Sequence, residues 1–100
     1  MAVREDMVNG LDVMHGGLTF ALADTAFAFA CNSHDERAFA AAAHIEFLRP
    51  GRLGDVLTAT AREDYRGRRR GFYTVEVCNQ QGDLVALFRG RSASTGEPLL

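Results

Sequence analysis

The sequence lacks the patterns that mark most metal sites and nucleophile-based active sites. It has two cysteines, Cys31 and Cys78, which lie far apart and show neither CxxC nor Cys/His ligand spacing. This spacing predicts buried thiols in a reducing compartment rather than a disulfide framework or a zinc site. The sequence also shows no Ser-His-Asp triad, no G-x-S-x-G elbow and no P-loop.

A targeting signal, a membrane span and a strong net charge are also missing. The N-terminal stretch MAVREDMVNG has no signal-peptide pattern. The longest apolar run, residues 16–31, is shorter than the ~20 residues of a membrane span and contains Asp24. A net charge of −2 gives no general attraction to nucleic acid or to anionic membranes. We therefore expect a cytoplasmic protein that has neither of these as a partner.

The elements that the sequence does contain fit one small α+β domain. The 100 residues are enough for a single domain. An alanine- and leucine-rich run from Leu18 to about Asn32 predicts a helix. Four later runs with short glycine-containing connections predict an antiparallel meander of strands, although the alanines at 40–43 also suit a helix. Because the helix is apolar nearly all round, we expect a curved sheet to cover it and the sheet edges to pair with another subunit.

One carboxylate, Asp24, lies near the centre of the apolar stretch FALADTAFAFA. An ionised carboxylate in apolar surroundings is costly unless it is paired. Two structural explanations are a bond to a local hydroxyl such as that of Thr25, or a place at a helix–helix contact in a dimer. The functional explanation is a poorly solvated carboxylate of raised basicity that takes part in catalysis.

The motif HGG, residues 15–17, precedes the predicted helix. Glycines and the unsatisfied first N–H groups of a helix together can bind a carbonyl oxygen that is becoming negative, although a tight turn is the simpler explanation. Gly16 and Asp24 are eight residues apart, which is ~12 Å along one helix. They cannot both contact one small reacting group. If both are catalytic, each site combines Gly16 of one subunit with Asp24 of another, as a two-fold dimer allows.

The pattern N-x5-HGG-x4-LADTAFAFACNS resembles the hotdog-fold acyl-CoA thioesterases, and within these the branch that acts in phenylacetate degradation. The stretches IEFLRPG-x2-GDVLTATA, GFYTVEV and NQQGDLVALFRGRS are similar to the same family, so the resemblance runs from about residue 7 onward. It implies a long central helix wrapped by a curved antiparallel sheet, in dimers that pair into a homotetramer. It also implies hydrolysis of an aryl-acyl-CoA thioester such as phenylacetyl-CoA or a hydroxylated derivative. No metal or cofactor is expected, since water is the second substrate.

The resemblance also implies roles for individual residues. Asp24 corresponds to the nucleophile or to the base that activates water, and the N–H of Gly16 corresponds to the donor that polarises the thioester carbonyl. Asn9 and His15 correspond to residues that line the pocket, and His15 braces the Asn9 loop in the simpler explanation. The further substrate-binding candidates are Gly17, Thr25, Phe20, Arg89 and Arg91.

Two features depart from the family pattern. Relatives normally have one more strand and a short helix before the position of Met1, so either the chain is part of a longer protein or the single domain, 1–100, lacks an edge. Some relatives hold the attacking water with a Ser or Thr near the carboxylate, where this chain has Ala28 and the alanines at 40–43. Thr25 is the one nearby hydroxyl on the helix.

Three other groups of polar residues allow a functional and a structural explanation. The run RGRRRG, residues 66–71, is a solvated hairpin connection or a clamp for coenzyme A phosphates. Arg89 and Arg91 share a strand face, and they either meet the nucleotide or lie at a solvent-facing edge. His44 and Glu46 are expected to form cross-strand or interface pairs, although a His/Glu pair also suits a hotdog dehydratase. The main alternative to the thioesterase is a hotdog module that binds acyl-CoA without hydrolysing it.

Overall fold

One helix packs on one four-stranded antiparallel sheet in the computed structural model, which describes residues 1–7, 16–32 and 38–95. The elements in chain order are a short 3-10 helix Glu5–Met7, α1 Gly16–Cys31, β1 Ala38–Phe47, β2 Thr58–Arg66, β3 Arg70–Cys78 and β4 Leu84–Ser94. The predicted helix and four strands are confirmed, and the alanines at 40–43 lie in β1. The α+β class is therefore confirmed as well.

The strand order in the sheet is β1-β4-β3-β2. Strands β2, β3 and β4 form consecutive antiparallel hairpins, as a meander requires. The meander prediction is wrong for β1, which pairs with β4 and not with β2. The segment 48–57 between β1 and β2 is too long for a tight hairpin and carries Pro50, which has no N–H for a ladder. Its first residues, Leu48 and Arg49, still donate to the Val85 carbonyl and so continue along β4.

The turn between β3 and β4 is built from the predicted NQQGD stretch. The side-chain oxygen of Asn79 accepts the N–H groups of Gln81 at 3.0 Å and of Asp83 at 2.9 Å. Gly82 takes φ +83°, a conformation that glycine adopts without the steric cost of a Cβ. This turn therefore fixes the register of the two strands that form the centre of the sheet.

One stripe of α1 forms the contact with the sheet. Thr19, Ala23, Phe27 and Cys31 recur every fourth residue and are all buried. The ring of Phe27 lies 5.5 Å from that of Tyr73 and 5.6 Å from that of Phe88, between centroids. This stripe fixes how the helix is rotated on the sheet.

The opposite face of α1 is not covered by the chain's own sheet. Ala21, Thr25 and Ala28 are exposed on it, and Phe29 is 77% exposed. An apolar helix face of this kind needs a partner surface, because large exposed aromatic rings are unfavourable in water. Within one chain the sheet therefore covers one side of α1 and leaves the opposite side exposed.

Candidate active site

The N-terminus of α1 lies beside a cavity of about 380 Å³ at the end of β1. The helix begins at Gly16, two residues before the predicted start at Leu18, and Gly16 is exposed. A Cβ placed on Gly16 would lie 3.2 Å from Cζ of Phe47, so the absence of a side chain lets that ring approach the first helical turn. Thr19, Leu48, Arg49, Pro50 and Gly51 complete the lining of the cavity. Its position makes the unsatisfied N–H groups of the helix available to a ligand.

Asp24 lies two turns further along α1 and is half-buried. It is not among the residues that line the cavity at Gly16. Eight helical residues separate it from Gly16, a rise of ~12 Å. Asp24 is adjacent to Thr25, which lies on the exposed face of α1. Its side chain is therefore accessible to a molecule that covers this exposed face. Within one chain, Gly16 and Asp24 therefore cannot both contact one small reacting group, which agrees with the prediction from their spacing.

The charge of Asp24 acts on Cys31, which lies near the end of the same helix. The pKa of the Cys31 thiol is raised, mainly by burial and in part by the negative charge of Asp24, and a backbone hydrogen bond works against both. A thiol of raised pKa is a weak nucleophile at neutral pH. Cys31 is therefore a core residue.

Three other candidates on the helix have different surroundings. The hydroxyl of Thr25 donates to the Ala21 carbonyl at 2.8 Å and is exposed. A Cβ on Gly17 would meet no atom within 4 Å, so Gly17 faces open space. The ring of Phe20 is half-buried and packs edge-on against Phe88 at 5.5 Å between centroids, which makes it part of the core within one chain.

Asn9 and His15 lie outside the described residues, so their predicted places in the pocket stay predictions. The described part of the chain, 1–7, 16–32 and 38–95, contains no group of three His, Cys, Asp or Glu side chains that can hold a metal ion. Within the same ranges no helix has the length and apolar character needed to cross a membrane.

Arg89 and Arg91 lie on the outer face of the sheet, away from α1. Their neighbours Phe88 and Gly90 are buried and face the helix, where the ring of Phe88 meets Phe20. Because side chains alternate along a strand, both arginines point to the opposite face. They line a groove of about 500 Å³. The prediction of a solvent-facing edge is wrong, since β4 is a central strand that pairs on both sides.

The groove contains a hydrogen-bonded set that sequence reasoning missed. Asp64 accepts the hydroxyl of Thr74 and the guanidinium of Arg62, the latter at 2.9 Å. The Thr74 hydroxyl first, and then Arg62, hold the pKa of the Asp64 carboxyl below its usual range. Arg62 is the register partner of Thr74 across β2 and β3, whereas Asp64 lies at the bulge in this pairing and bonds to Thr74 from there. The sequence carries no signal for that bulge.

His44 and Glu46 bond to each other along β1. The Nε2 atom of His44 lies 2.8 Å from Oε1 of Glu46, and both side chains are exposed. The expectation of a cross-strand or interface pair is therefore corrected to a pair within one strand. Both side chains lie on the outer face, because His44 is opposite Arg89 and Glu46 is opposite Leu87.

Sequence comparison gives a family and close relatives. Residues 11–86 match the family described as the thioesterase superfamily. Acyl-coenzyme A thioesterase PaaI of Escherichia coli strain K12 is 53% identical over 96 residues, which are 96% of this chain and 69% of that protein. A putative esterase of Archaeoglobus fulgidus is 39% identical over 90 residues, which are 90% of this chain. The chain spans only 58% of that esterase.

Solved structures agree with the sequence matches. The structure of E. coli PaaI, from the phenylacetic acid degradation operon, has a TM-score of 0.95 at 52% identity and covers 98% of this chain and 71% of that chain. A Streptococcus mutans protein bound to acetyl-CoA has a TM-score of 0.92 at 28% identity, with 98% of this chain and 79% of that chain covered. The chain therefore belongs to the thioesterase superfamily, as a hotdog-fold enzyme similar to PaaI.

Proposed function

We propose that the chain is an acyl-CoA thioesterase that hydrolyses aryl-acyl-CoA thioesters, such as phenylacetyl-CoA or its hydroxylated derivatives, in phenylacetate degradation. The similarity to PaaI supports this substrate class. The coenzyme A thioester in the Streptococcus mutans relative supports a substrate of the same kind. The observation that carries the proposal is the half-buried carboxylate of Asp24 beside a helix face that the chain leaves open.

The active site that we propose is shared between two subunits of a homodimer. The N–H of Gly16 in one subunit donates to the thioester carbonyl oxygen and stabilises the negative charge that develops there. Asp24 of the other subunit attacks the carbonyl carbon or takes a proton from the attacking water. The tetrahedral intermediate then collapses, the C–S bond breaks, and the coenzyme A thiolate leaves. In the base route the proton taken by Asp24 passes to this thiolate, and in the nucleophilic route water then hydrolyses the acyl–Asp24 anhydride and restores the carboxylate. The ~12 Å between these residues along one helix supports a shared site.

The other predicted residues and the predicted assembly complete this proposal. Asn9 and His15 line the pocket, Gly17, Thr25 and Phe20 contact the substrate, and Arg89 and Arg91 contact its nucleotide. Dimers assemble into a homotetramer, and the single domain 1–100 acts as one unit. Free cysteines at Cys31 and Cys78 support a reducing, cytoplasmic location.

The experiment that tests this function is free-thiol release from phenylacetyl-CoA by the wild type, Asp24→Ala and Asp24→Asn. We expect both variants to lose activity by about 10²- to 10⁴-fold while keeping the oligomeric mass of the wild type, since that is the contribution of a positioned base. Asp6→Asn is the matched control, because Asp6 is an exposed carboxylate that pairs only weakly with Arg4 at 3.4 Å. It should keep the wild-type rate.

Two results would contradict the proposal. The first is an Asp24→Asn variant that hydrolyses phenylacetyl-CoA as fast as the wild type. The second is a wild type that binds aromatic and aliphatic acyl-CoAs without releasing thiol, which is the behaviour of a binding module.

A further inference from the structure

The β2–β3 hairpin concentrates positive charge at one end of the sheet. It carries Arg66, Arg68, Arg69 and Arg70, all exposed, and it is closed by a main-chain bond from the Gly67 N–H to the Arg70 carbonyl at 2.7 Å. The guanidinium groups of Arg68, Arg69 and Arg70 make no hydrogen bond or ion pair with other side chains in the part of the chain that the structure describes. Like charges held this close repel, so the hairpin is a strong site for an anion.

Two aromatic rings lie directly beside these arginines. Tyr65 and Phe72 are register partners across β2 and β3, with ring centroids 5.9 Å apart, and they are 60% and 43% exposed. Tyr65 folds back over the turn, because a Cβ on Gly67 would lie 3.0 Å from its hydroxyl oxygen. Exposed rings next to Arg68, Arg69 and Arg70 suit a flat base attached to phosphates, since bases stack on aromatic faces and arginine pairs with phosphate.

Phe72 connects the hairpin to the groove on the outer face of the sheet. A cavity of about 370 Å³ is lined by Tyr65, Gly67, the arginines 68–70 and Phe72. Phe72 also lines the groove of about 500 Å³, where it lies opposite Arg91. Both volumes are in the ~300–1,000 Å³ range of small-molecule sites. The two spaces therefore form one surface with arginines at both ends and rings in the middle.

The carboxylate in this groove does not cancel the positive charge. Asp64 already accepts the Arg62 guanidinium and the Thr74 hydroxyl, so its charge is satisfied within the sheet. Arg68, Arg69, Arg70 and Arg91 have no side-chain partner among the described residues, so they stay available to a ligand.

We propose that this surface binds the phosphorylated adenosine end of a coenzyme A thioester, with the base on Tyr65 and Phe72 and the phosphates on Arg68, Arg69, Arg70 and Arg91. The inference rests on the proposed function, which supplies an adenine nucleotide with several phosphates as part of the substrate. An extended nucleic acid is disfavoured, because the chain as a whole carries a net charge of −2.

Direct binding of adenosine 3′,5′-bisphosphate, measured by calorimetry, tests the site without any catalysis. Arg68→Gln/Arg69→Gln removes two charges but keeps the main-chain bonds of the hairpin, including the Ser94 N–H to Arg69 carbonyl bond. We expect binding at least about tenfold weaker, since each charge-assisted bond contributes that much. Phe72→Leu should also weaken binding. The matched control Arg4→Gln/Arg52→Gln removes two exposed arginines elsewhere and should bind as the wild type does.

The kinetic arm separates this site from the reaction centre. With phenylacetyl-CoA, the Arg68→Gln/Arg69→Gln variant should show a KM raised about tenfold and an unchanged kcat. With the phenylacetyl thioester of N-acetylcysteamine, which has no nucleotide, KM should not change.

The binding measurement and the kinetic measurement each have an outcome that would overturn the inference. Unchanged binding of adenosine 3′,5′-bisphosphate, or equal rises in KM for the two thioesters, would overturn it. Tighter binding of a single-stranded oligonucleotide than of the bisphosphate would also overturn it. Failure of the wild type to hydrolyse either thioester would refute the proposed function, while calorimetry would still test the binding site.

Discussion

Tyr73 is a titratable residue inside the core, at the contact between β3 and α1. It is 2% exposed, and its hydroxyl donates to Oε1 of Glu63 at 2.9 Å. Burial, followed by the hydrogen bond to Glu63 and the charge of that carboxylate, raises the pKa of Tyr73 to about 12. The phenol therefore stays neutral in the folded chain at pH values where it would ionise in the unfolded chain.

This difference predicts a loss of stability in alkaline solution. Between about pH 10 and pH 12 the folded chain keeps a proton that the unfolded chain releases, so the free energy of unfolding falls as the pH rises. Below pH 10 the contribution is fully present. The total loss is on the order of 2 kcal/mol. Urea denaturation at about pH 9 and pH 11 measures about half of this loss, because the decline is complete only above the folded-state pKa. Tyr73→Phe should remove the decline. Parallel pH dependences of the two proteins would show that Tyr73 does not titrate in this way.

The sequence predicts the positions of some residues of the candidate site and not of others. Gly16 and Asp24 belong to one helix, so their separation follows from local geometry and was predictable. The contact of Phe47 with Gly16 was not predictable from the sequence, because it depends on how β1 crosses the end of the helix. The placement of Arg89 and Arg91 on the outer face likewise depends on which residues of β4 the helix covers.

At the scale of elements, composition predicted α1 but not its orientation. The helix is apolar on every side, so no hydrophobic stripe in the sequence indicates which face meets the sheet. The structure selects the face that carries Phe27, which fits over Gly90 of β4. The order of the strands was missed for a similar reason. The alternation of polar and apolar residues in β1 predicts a strand. Its pairing with β4, however, depends on contacts with residues about forty or more positions later in the chain.

The fit of Phe27 over Gly90 predicts a large effect of a small substitution. A Cβ on Gly90 would lie 2.8 Å from two carbon atoms of the Phe27 ring, so Gly90→Ala must push α1 away from the sheet. Overpacking of this kind destabilises by about 1–3 kcal/mol. Urea denaturation at neutral pH measures the change. Gly17→Ala is the matched control for stability, because its Cβ would meet nothing within 4 Å. Equal stabilities of the two variants would mean that the core adapts at no cost.

At the scale of the whole molecule, the two edges of the sheet differ in character. The edge strand β2 carries Arg62, Glu63, Asp64 and Arg66, and charged edges resist pairing with another strand. The other edge strand, β1, has no charge along residues 38–43 and is almost entirely exposed. We infer that β1 is the edge that pairs with a second copy of the chain. The exposed face of α1 supports the same association.

A shared active site predicts that two inactive variants restore each other. Asp24→Asn removes the base or nucleophile from one side of each site. Gly16→Val should disable the other side, since its Cβ would lie 3.2 Å and 3.3 Å from two atoms of the Phe47 ring and its side chain would crowd the cavity in which we expect the carbonyl to bind. Each homodimer alone then contains two defective sites and should release no thiol above background.

Refolding an equal mixture of the two variants should make half of the dimers mixed, if association is random. A mixed dimer has one site in which both defects meet and one site in which neither is present, because Gly16 and Asp24 come from different subunits. Thiol release should therefore recover to about a quarter of the wild-type rate. A mixture of Asp24→Asn with Asp24→Ala is the control and should stay inactive. If the variants associate and the mixture stays inactive as well, then Gly16 and Asp24 do not meet across the interface, and the proposed dimeric site is wrong.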